Sequence, residues 1–175
     1  MSHEDSDNEQ VSERRQKLAE LRKRGNPYPN DFTRTALAAN LHKRYDNDDA
    51  EQLAGRAIHV CVAGRMMTRR IMGKASFAHI QDVSGQIQLR LQQDKLSEAP
   101  YKDFKKWDLG DIVGAEGTLF KTQKGELTVL VDSIRLLAKA LRPLPEKYHG
   151  LVDQESRYRQ RYLDLLMNDA ARAAF

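Results

Sequence analysis

ASFAHIQDVSGQIQLRLQ, residues 75–92, alternates apolar and polar side chains on both sides of a Ser-Gly pair, and its reading decides the fold. A period of two sends successive side chains to opposite faces of a strand. Ser84 and Gly85 supply a turn, so the stretch reads as a hairpin of two strands, Ala75–Val83 and Gln86–Gln92. Closing it symmetrically at Ser84–Gly85 pairs Ile80 with Leu89 and Ala78 with Leu91, an apolar face for a core. The other face then carries Phe77, His79 and Gln81 on one strand and Gln88, Arg90 and Gln92 on its partner. A ring among amides, an imidazole and a guanidinium is suited to stacking on an unpaired base, worth about 1–3 kcal/mol per base, while the amides read a base edge. The opposing reading is a register slipped by one residue, which buries Phe77.

Working outward, three more segments have strand periodicity: Arg56–Ile71, Asp111–Phe120 and Glu126–Ile134. The long connection between the third and fourth strands holds Leu96, Tyr101, Phe104 and Trp107, with the three aromatics on one helical face before Gly110. Those rings read as a plug for the end of a barrel. Three strands, a helix and two strands is the order of an OB-fold, a five-stranded Greek-key barrel with a helix between strands 3 and 4. The fold class is thus mainly β with flanking helices.

Two further segments border the aromatic face. The run Arg65–Lys74 is basic, and in a regular strand Arg65, Met67 and Arg69 share one side, so cations converge near Phe77. The loop Lys121–Glu126 lies where OB-folds complete their site, and Glu126, acceptor-only when ionised, can receive a base N–H or serve as an ordinary turn residue.

The flanks are helical. Residues 1–55 read as a disordered start through residue 8, a basic helix over Glu9–Arg24 with Asp7 and Gln10 as a capping pair, a Pro27/Pro29 link, and a short helix over 36–46. The basic helix either attracts phosphate or presents a solvated face. Residues 56–140 form the barrel; 141–175 begin with a stiff Pro143/Pro145 linker and continue as a helix over Val152–Met167.

Net charge is +4 and the pI about 9.2, which favours a polyanionic partner. The single cysteine, Cys61, excludes an internal disulfide and reads as a small buried hydrophobe. No stretch approaches the ~20 apolar residues of a membrane span, and the acidic start is not a secretory signal, so a cytoplasmic protein with no membrane partner is expected. There is no glycine-rich phosphate cradle and no Cys/His metal spacing, and His42 and His149 have no evident partner. No catalytic residue, cofactor or metal is expected on this chain.

Three long strings then carry a resemblance: VAGRMMTRRIMGKASFAHIQDVSGQIQ (Val62–Gln88), KKWDLGDIVGAEGTLFKTQKGEL (Lys105–Leu127) and ALRPLPEKYHGLVDQESRYRQRYLDL (Ala140–Leu165). Together they resemble the N-terminal anticodon-binding region of bacterial class II lysyl-tRNA synthetases. The resemblance implies that Phe77 stacks on the central uridine of the anticodon, that Arg69 and Gln88 hydrogen-bond it, and that Glu126 helps read a flanking uridine; Arg65 and His79 complete the expected site. It also implies a tRNA partner with a lysine-type anticodon, and, for the full-length enzyme, a homodimer with a catalytic half that joins lysine to tRNA using ATP and Mg2+. The chain is expected to end before those catalytic motifs, which leaves its own activity and a monomeric state open. Two alternatives keep the same fold: the anticodon-binding domain of an aspartyl or asparaginyl enzyme, and a stand-alone OB module for single strands.

Overall fold

The computed structural model describes residues 3–145 and 154–175, which divide into two compact units, one ending at Arg142 and one starting at Pro143. The first unit is a barrel with three helices before it. Strands β1 (His59–Met72), β2 (Ala75–Gln81), β3 (Gln86–Gln92), β4 (Ile112–Lys121) and β5 (Leu127–Ala138) close in the order β1-β2-β3-β5-β4. All neighbours are antiparallel except β3 and β5. This is the expected OB-fold.

Closure depends on β1 serving two partners. Its first half, His59–Arg65, pairs with β4, and its second half, from Arg65 on, pairs with β2. At the changeover a Cβ on Gly64 would lie 2.6 Å from the Gln81 carbonyl oxygen, so only glycine lets β2 approach there. Two residues later the ladder shifts: Met66 opposes Ile80 but Thr68 opposes His79, leaving Met67 as a bulge.

Inward-facing Val62, Met66, Ile80, Leu89, Leu91, Val113, Leu119 and Val129 are almost fully buried and make the core. The barrel's end is closed by α4 (Gln93–Leu96) and α5 (Glu98–Lys106), where Leu96, Tyr101 and Phe104 are buried and the Phe104 and Trp107 rings meet edge to face with centroids 5.8 Å apart. The buried Tyr101 hydroxyl is satisfied, donating to the Gly73 carbonyl at 3.0 Å and bonding Ser76 Oγ at 2.8 Å. The aromatics are a plug, as their spacing implied.

The flanking helices depart from the sequence reading in detail. Helix α1 spans His3–Arg24, so it starts before Glu9, takes in most of the segment expected to be irregular, and is not capped at Asp7. Helix α2 (Ala38–Tyr45) fits the expected short helix, whereas α3 (Ala50–Arg56) was missed although its capping box, Asp49 with Gln52, is a sequence signature. Helix α3 displaces the start of β1 from Arg56 to His59. His42, expected to lack partners, bonds Asp46 through Nδ1 at 2.9 Å and the Gln86 carbonyl through Nε2 at 2.9 Å. Cys61 is half-buried, on the outer side of β1 beneath Thr35.

Helix α1 is attached by charge. Arg14 NH1 donates to the carbonyls of Leu109, Ala140 and Arg142 at 3.1–3.3 Å, and Lys17 Nζ reaches Asp108 at 2.8 Å. Asp108 also pairs at 2.7 Å with Lys139, whose buried ammonium bonds the fully buried Asp111 at 2.7 Å. Asp111 additionally accepts the backbone N–H groups of Asp108 and Ala140 at 2.8 Å.

The second unit is described apart from the first. Its helices α6 (Gln154–Arg159), α7 (Arg161–Met167) and α8 (Asp169–Ala174) replace the single helix expected over Val152–Met167. Asp164 collects Arg157 Nε at 2.8 Å and Arg161 NH1 at 3.1 Å, and the Arg157 bond holds its carboxyl below the usual range. Tyr158 and Tyr162 are exposed. Residues 146–153, which include His149 and the expected helix start at Val152, lie outside the described residues.

Two predictions follow from the ion cluster. Lys139→Ala removes the cation from two carboxylates in a buried site and should cost about 3–5 kcal/mol in urea unfolding; a loss under about 1 kcal/mol would show that the cluster is not holding the barrel's edge. The pH dependence has a definite sign. Burial acts to raise the Asp108 carboxyl, but hydrogen bonds from Lys139 and Lys17 outweigh it and hold it below its ordinary 3.8. Burial acts to lower Lys17, and its bonds to Asp108 and Glu13 outweigh that, raising it above 10.5. A depressed carboxyl contributes stability present above 3.8 and lost as pH falls through its folded value; a raised amine contributes stability present below 10.5 and lost as pH rises through its folded value. Attachment of α1 should therefore hold through neutral pH and weaken at both extremes, read by fluorescence of Trp107, the one tryptophan, beside Asp108.

Candidate nucleic-acid interface

The turn between β2 and β3 fixes what the outer face displays. Asp82 accepts the Ser84 N–H at 2.7 Å, the Ser84 hydroxyl at 2.6 Å and the Gly85 N–H at 3.0 Å, and its own N–H donates to the Gly85 carbonyl at 2.9 Å. The loop is thus four residues long, 82–85, and the pairs are Ile80 with Ile87 and Ala78 with Leu89. The expected partners, Leu89 and Leu91, are off by two positions. An even shift keeps parity, so the apolar set stays inside and Phe77, His79, Gln88 and Arg90 stay outside.

Two rows of side chains cross this face. Register aligns Arg70 of β1, Phe77 of β2, Arg90 of β3 and Leu130 of β5 in one row. Thr68, His79, Gln88, Thr128 and Phe120 form the next. Phe77 is half-buried, outside the core, with the Arg90 guanidinium 5.9 Å from its ring centroid and 5.7 Å from that of Phe120. Except for Leu130 and Thr128, the residues of both rows line a groove of about 900 Å³ that extends to the loop residues Lys121–Lys124.

The second row is one hydrogen-bonded chain. His79 Nδ1 meets Thr68 Oγ1 at 2.9 Å while its Nε2 meets Glu126 Oε1 at 2.8 Å. Gln88 Nε2 donates to Glu126 Oε2 at 2.8 Å, and Thr128 Oγ1 donates to Gln88 Oε1 at 2.9 Å. Glu126, acceptor-only when ionised, takes its bond from an N–H at Nε2, and Thr68 Oγ1, which accepts the His79 backbone N–H at 3.2 Å, still has its own proton to give to Nδ1. The inventory is not exhausted. Gln88 Nε2 also lies 3.5 Å from His79 Nε2, but a nitrogen whose N–H points at the carboxylate cannot accept, so Gln88 keeps one amide N–H and one carbonyl lone pair, and each Glu126 oxygen keeps a lone pair. A donor and an acceptor on one amide, beside a carboxylate, match the alternating donors and acceptors of a pyrimidine edge.

The expected basic residues are placed differently. The Met67 bulge reverses parity along β1, so Arg69 opposes Ala78 of the inner set and Arg70 opposes Phe77. Arg69 borders the groove, but its NH1 donates to the carbonyls of Phe104 at 3.2 Å, Lys105 at 3.1 Å and Trp107, at the C-terminal end of α5. Burial lowers its pKa from the ordinary value. Arg65 opposes Gln81 at the far end of the pairing and donates to the Gly110 carbonyl at 2.8 Å, outside the groove. Of the expected residues, Phe77, His79, Gln88 and Glu126 are brought together; Arg65 and the guanidinium of Arg69 are not. Sequence reasoning overlooked Thr68, Arg70, Thr128 and Phe120. Outward parity marks the last two once β5 is known to lie beside β3, but a bulge leaves no sequence signal for the first two.

Among the described residues no group of three or more His, Cys, Asp or Glu is placed to hold a metal, and no helix is long and apolar enough to cross a membrane. Residues 60–137 match the family model described as an OB-fold nucleic acid binding domain of the tRNA anti-codon type. The lysine–tRNA ligase of Idiomarina loihiensis is 63% identical over 169 residues, covering 96% of this chain and 34% of that protein. Those of Coxiella burnetii (60%, covering 97% of this chain and 34% of the relative) and Thioalkalivibrio sulfidiphilus (61%, covering 94% and 33%) are similar to the same extent. The chain spans about a third of the length of the curated relatives it matches. The barrel strands and the match of residues 60–137 to the OB-fold family model thus fall on the same segment, in a chain that is similar to lysine–tRNA ligases along almost all of its own length.

Proposed function

We propose that this chain recognises the uridine-rich anticodon loop of a lysine-type tRNA, and that the longer protein it would be part of joins lysine to that tRNA with ATP and Mg2+. The observation that carries the reading is the outward ring of Phe77 beside the Thr68–His79–Glu126–Gln88–Thr128 chain. Phe77 stacks on the central uridine, and Gln88 reads its edge with the amide N–H and carbonyl lone pair that remain. Glu126 accepts an N–H of a neighbouring base. Arg70 and Arg90 face the phosphates, and Arg69 acts from behind by closing the end of α5. The identity to lysine–tRNA ligases favours lysine over aspartate or asparagine anticodons and over a stand-alone module. A cytoplasmic site of action accords with that role.

Titration of the chain with a lysine-type stem-loop should give binding that weakens with salt and falls at least tenfold in Phe77→Ala. Equal affinity for a loop with its central uridine replaced would refute the base reading. The two arginines separate in a second measurement. Arg70→Ala should flatten the slope of log affinity against log salt by about 0.7, the contribution of one phosphate contact to a single strand. Arg69→Ala should instead lower the unfolding midpoint, since it uncovers carbonyls at the barrel's plug; an unchanged midpoint with lost base selectivity would return the base contact to Arg69.

A further inference from the structure

Phe120 is the large side chain on the groove that the proposed reading leaves unused. In β4 the inward positions Val113, Ala115 and Leu119 are buried, so Phe120 points outward by parity, and it is half-buried there. An outward ring at a strand's end forgoes the burial that an inward one would gain, just as Phe77 does. The two rings are not independent. Arg90 lies between them, its guanidinium 5.9 Å from the Phe77 centroid and 5.7 Å from the Phe120 centroid. Its buried Nε has no hydrogen-bond partner, so the side chain is positioned by the rings and by its stem, not by a hydrogen bond at Nε. One cation flanked by two outward rings is a repeat of the unit with which proteins hold an extended single strand: aromatic faces for bases and a guanidinium for the backbone between them.

We propose that Phe120 is a second stacking position, which takes the base adjacent to the one on Phe77, and that Arg90 contacts the phosphate joining the two. This rests on the anticodon reading above and extends it from one stacked base to two. The neighbours of Phe120 suit the role. Lys124 and Thr122 of the following loop line the same groove, and Glu126, at the end of that loop, is already oriented by His79 and Gln88 toward the row that Phe120 closes.

The experiment compares the chain and its Phe77→Ala and Phe120→Ala variants against three uridine-rich stem-loops: intact, abasic at the central position, and abasic at each flanking position in turn. Phe120→Ala should weaken the intact loop about tenfold, and the loss should vanish on one flanking abasic loop while persisting on the central one. Phe77→Ala should show the converse. Should Phe120→Ala fail to fold, the unsubstituted chain still decides: one flanking abasic loop must bind about tenfold more weakly than the intact loop. Affinity within twofold for every flanking abasic loop, or a Phe120→Ala loss that no abasic position removes, overturns the second position and leaves the Phe77 reading standing. If neither the central abasic loop nor Phe77→Ala weakens binding, the anticodon reading itself fails and this inference with it. Arg90→Gln should reduce the salt slope by about 0.7 without changing which abasic position matters; an unchanged slope removes Arg90 from the backbone contact.

Discussion

The carboxylate of Asp82 accepts two N–H groups and a hydroxyl from its own turn and a fourth hydrogen bond, at 2.8 Å, from the N–H of Ala38 at the start of α2. Burial acts to raise this carboxyl, yet those bonds outweigh it and keep it below the usual range. Everything on the outer face is referred to this turn. In a strand pair, a slip by one residue turns the slipped strand over, so on β2 it would put Phe77 and His79 inside and Ala78 and Ile80 in solvent. Asp82 opposes such a slip twice: it closes the turn at four residues, and it ties the turn to a helix that packs on the barrel. Leu37, at the N-cap of α2, has no side chain able to cap, so the helix draws its cap from the hairpin, Ser84 Oγ adding a bond to the N–H of Ala39 at 3.0 Å.

That arrangement explains what could and could not be read in the amino-acid order. The alternation in residues 75–92 states which side chains share a face, and parity is insensitive to an error of two in the pairing. The turn length was not legible because it depends on the Asp82 side chain folding back on the main chain, which competes with the two-residue Ser-Gly closure. In β1 the error was odd and mattered. The Met67 bulge leaves Met66 and Met67 both buried, a pattern that a run of two methionines between arginines does not reveal, and it moves Arg70 to the outer face in place of Arg69. The plug was legible because Tyr101, Phe104 and Trp107 repeat at helical spacing; α3 was equally legible from Asp49 and Gln52 and was simply passed over.

Charge counting was the least informative guide. Helix α1 is rich in lysine and arginine, yet Arg14 is consumed by three carbonyls and Lys17 by two carboxylates, while Arg24 leans on Asp103 at 3.3 Å. Arg14 and the Lys17–Asp108 pair hold the helix to the barrel, while Arg24 stays largely exposed. The alternatives of phosphate attraction and solvated face therefore omitted the role that the packing favours, attachment. A formal surplus of four positive charges says that a polyanion is tolerated; which cations meet it depends on which are already spoken for.

The same accounting bears on Glu126, an anion in a groove lined with Lys121, Lys124, Arg70 and Arg90. A carboxylate there repels a phosphate backbone, so it lowers affinity for any nucleic acid. It also cannot be explained as a salt bridge holding one of those cations, because its oxygens face His79 and Gln88. What it does is fix the direction of the Gln88 amide: with Nε2 drawn to the carboxylate and Oε1 held by Thr128, the amide cannot flip, and its remaining donor and acceptor present themselves in one order only. A fixed order tells uracil, with a donor at N3 between two acceptors, from cytosine, whose N3 accepts. An amide free to turn would accommodate both. In the proposed reading the groove thus gives up part of the general attraction for RNA in exchange for discrimination between bases, the trade expected of a surface that must reject most of the strands it meets.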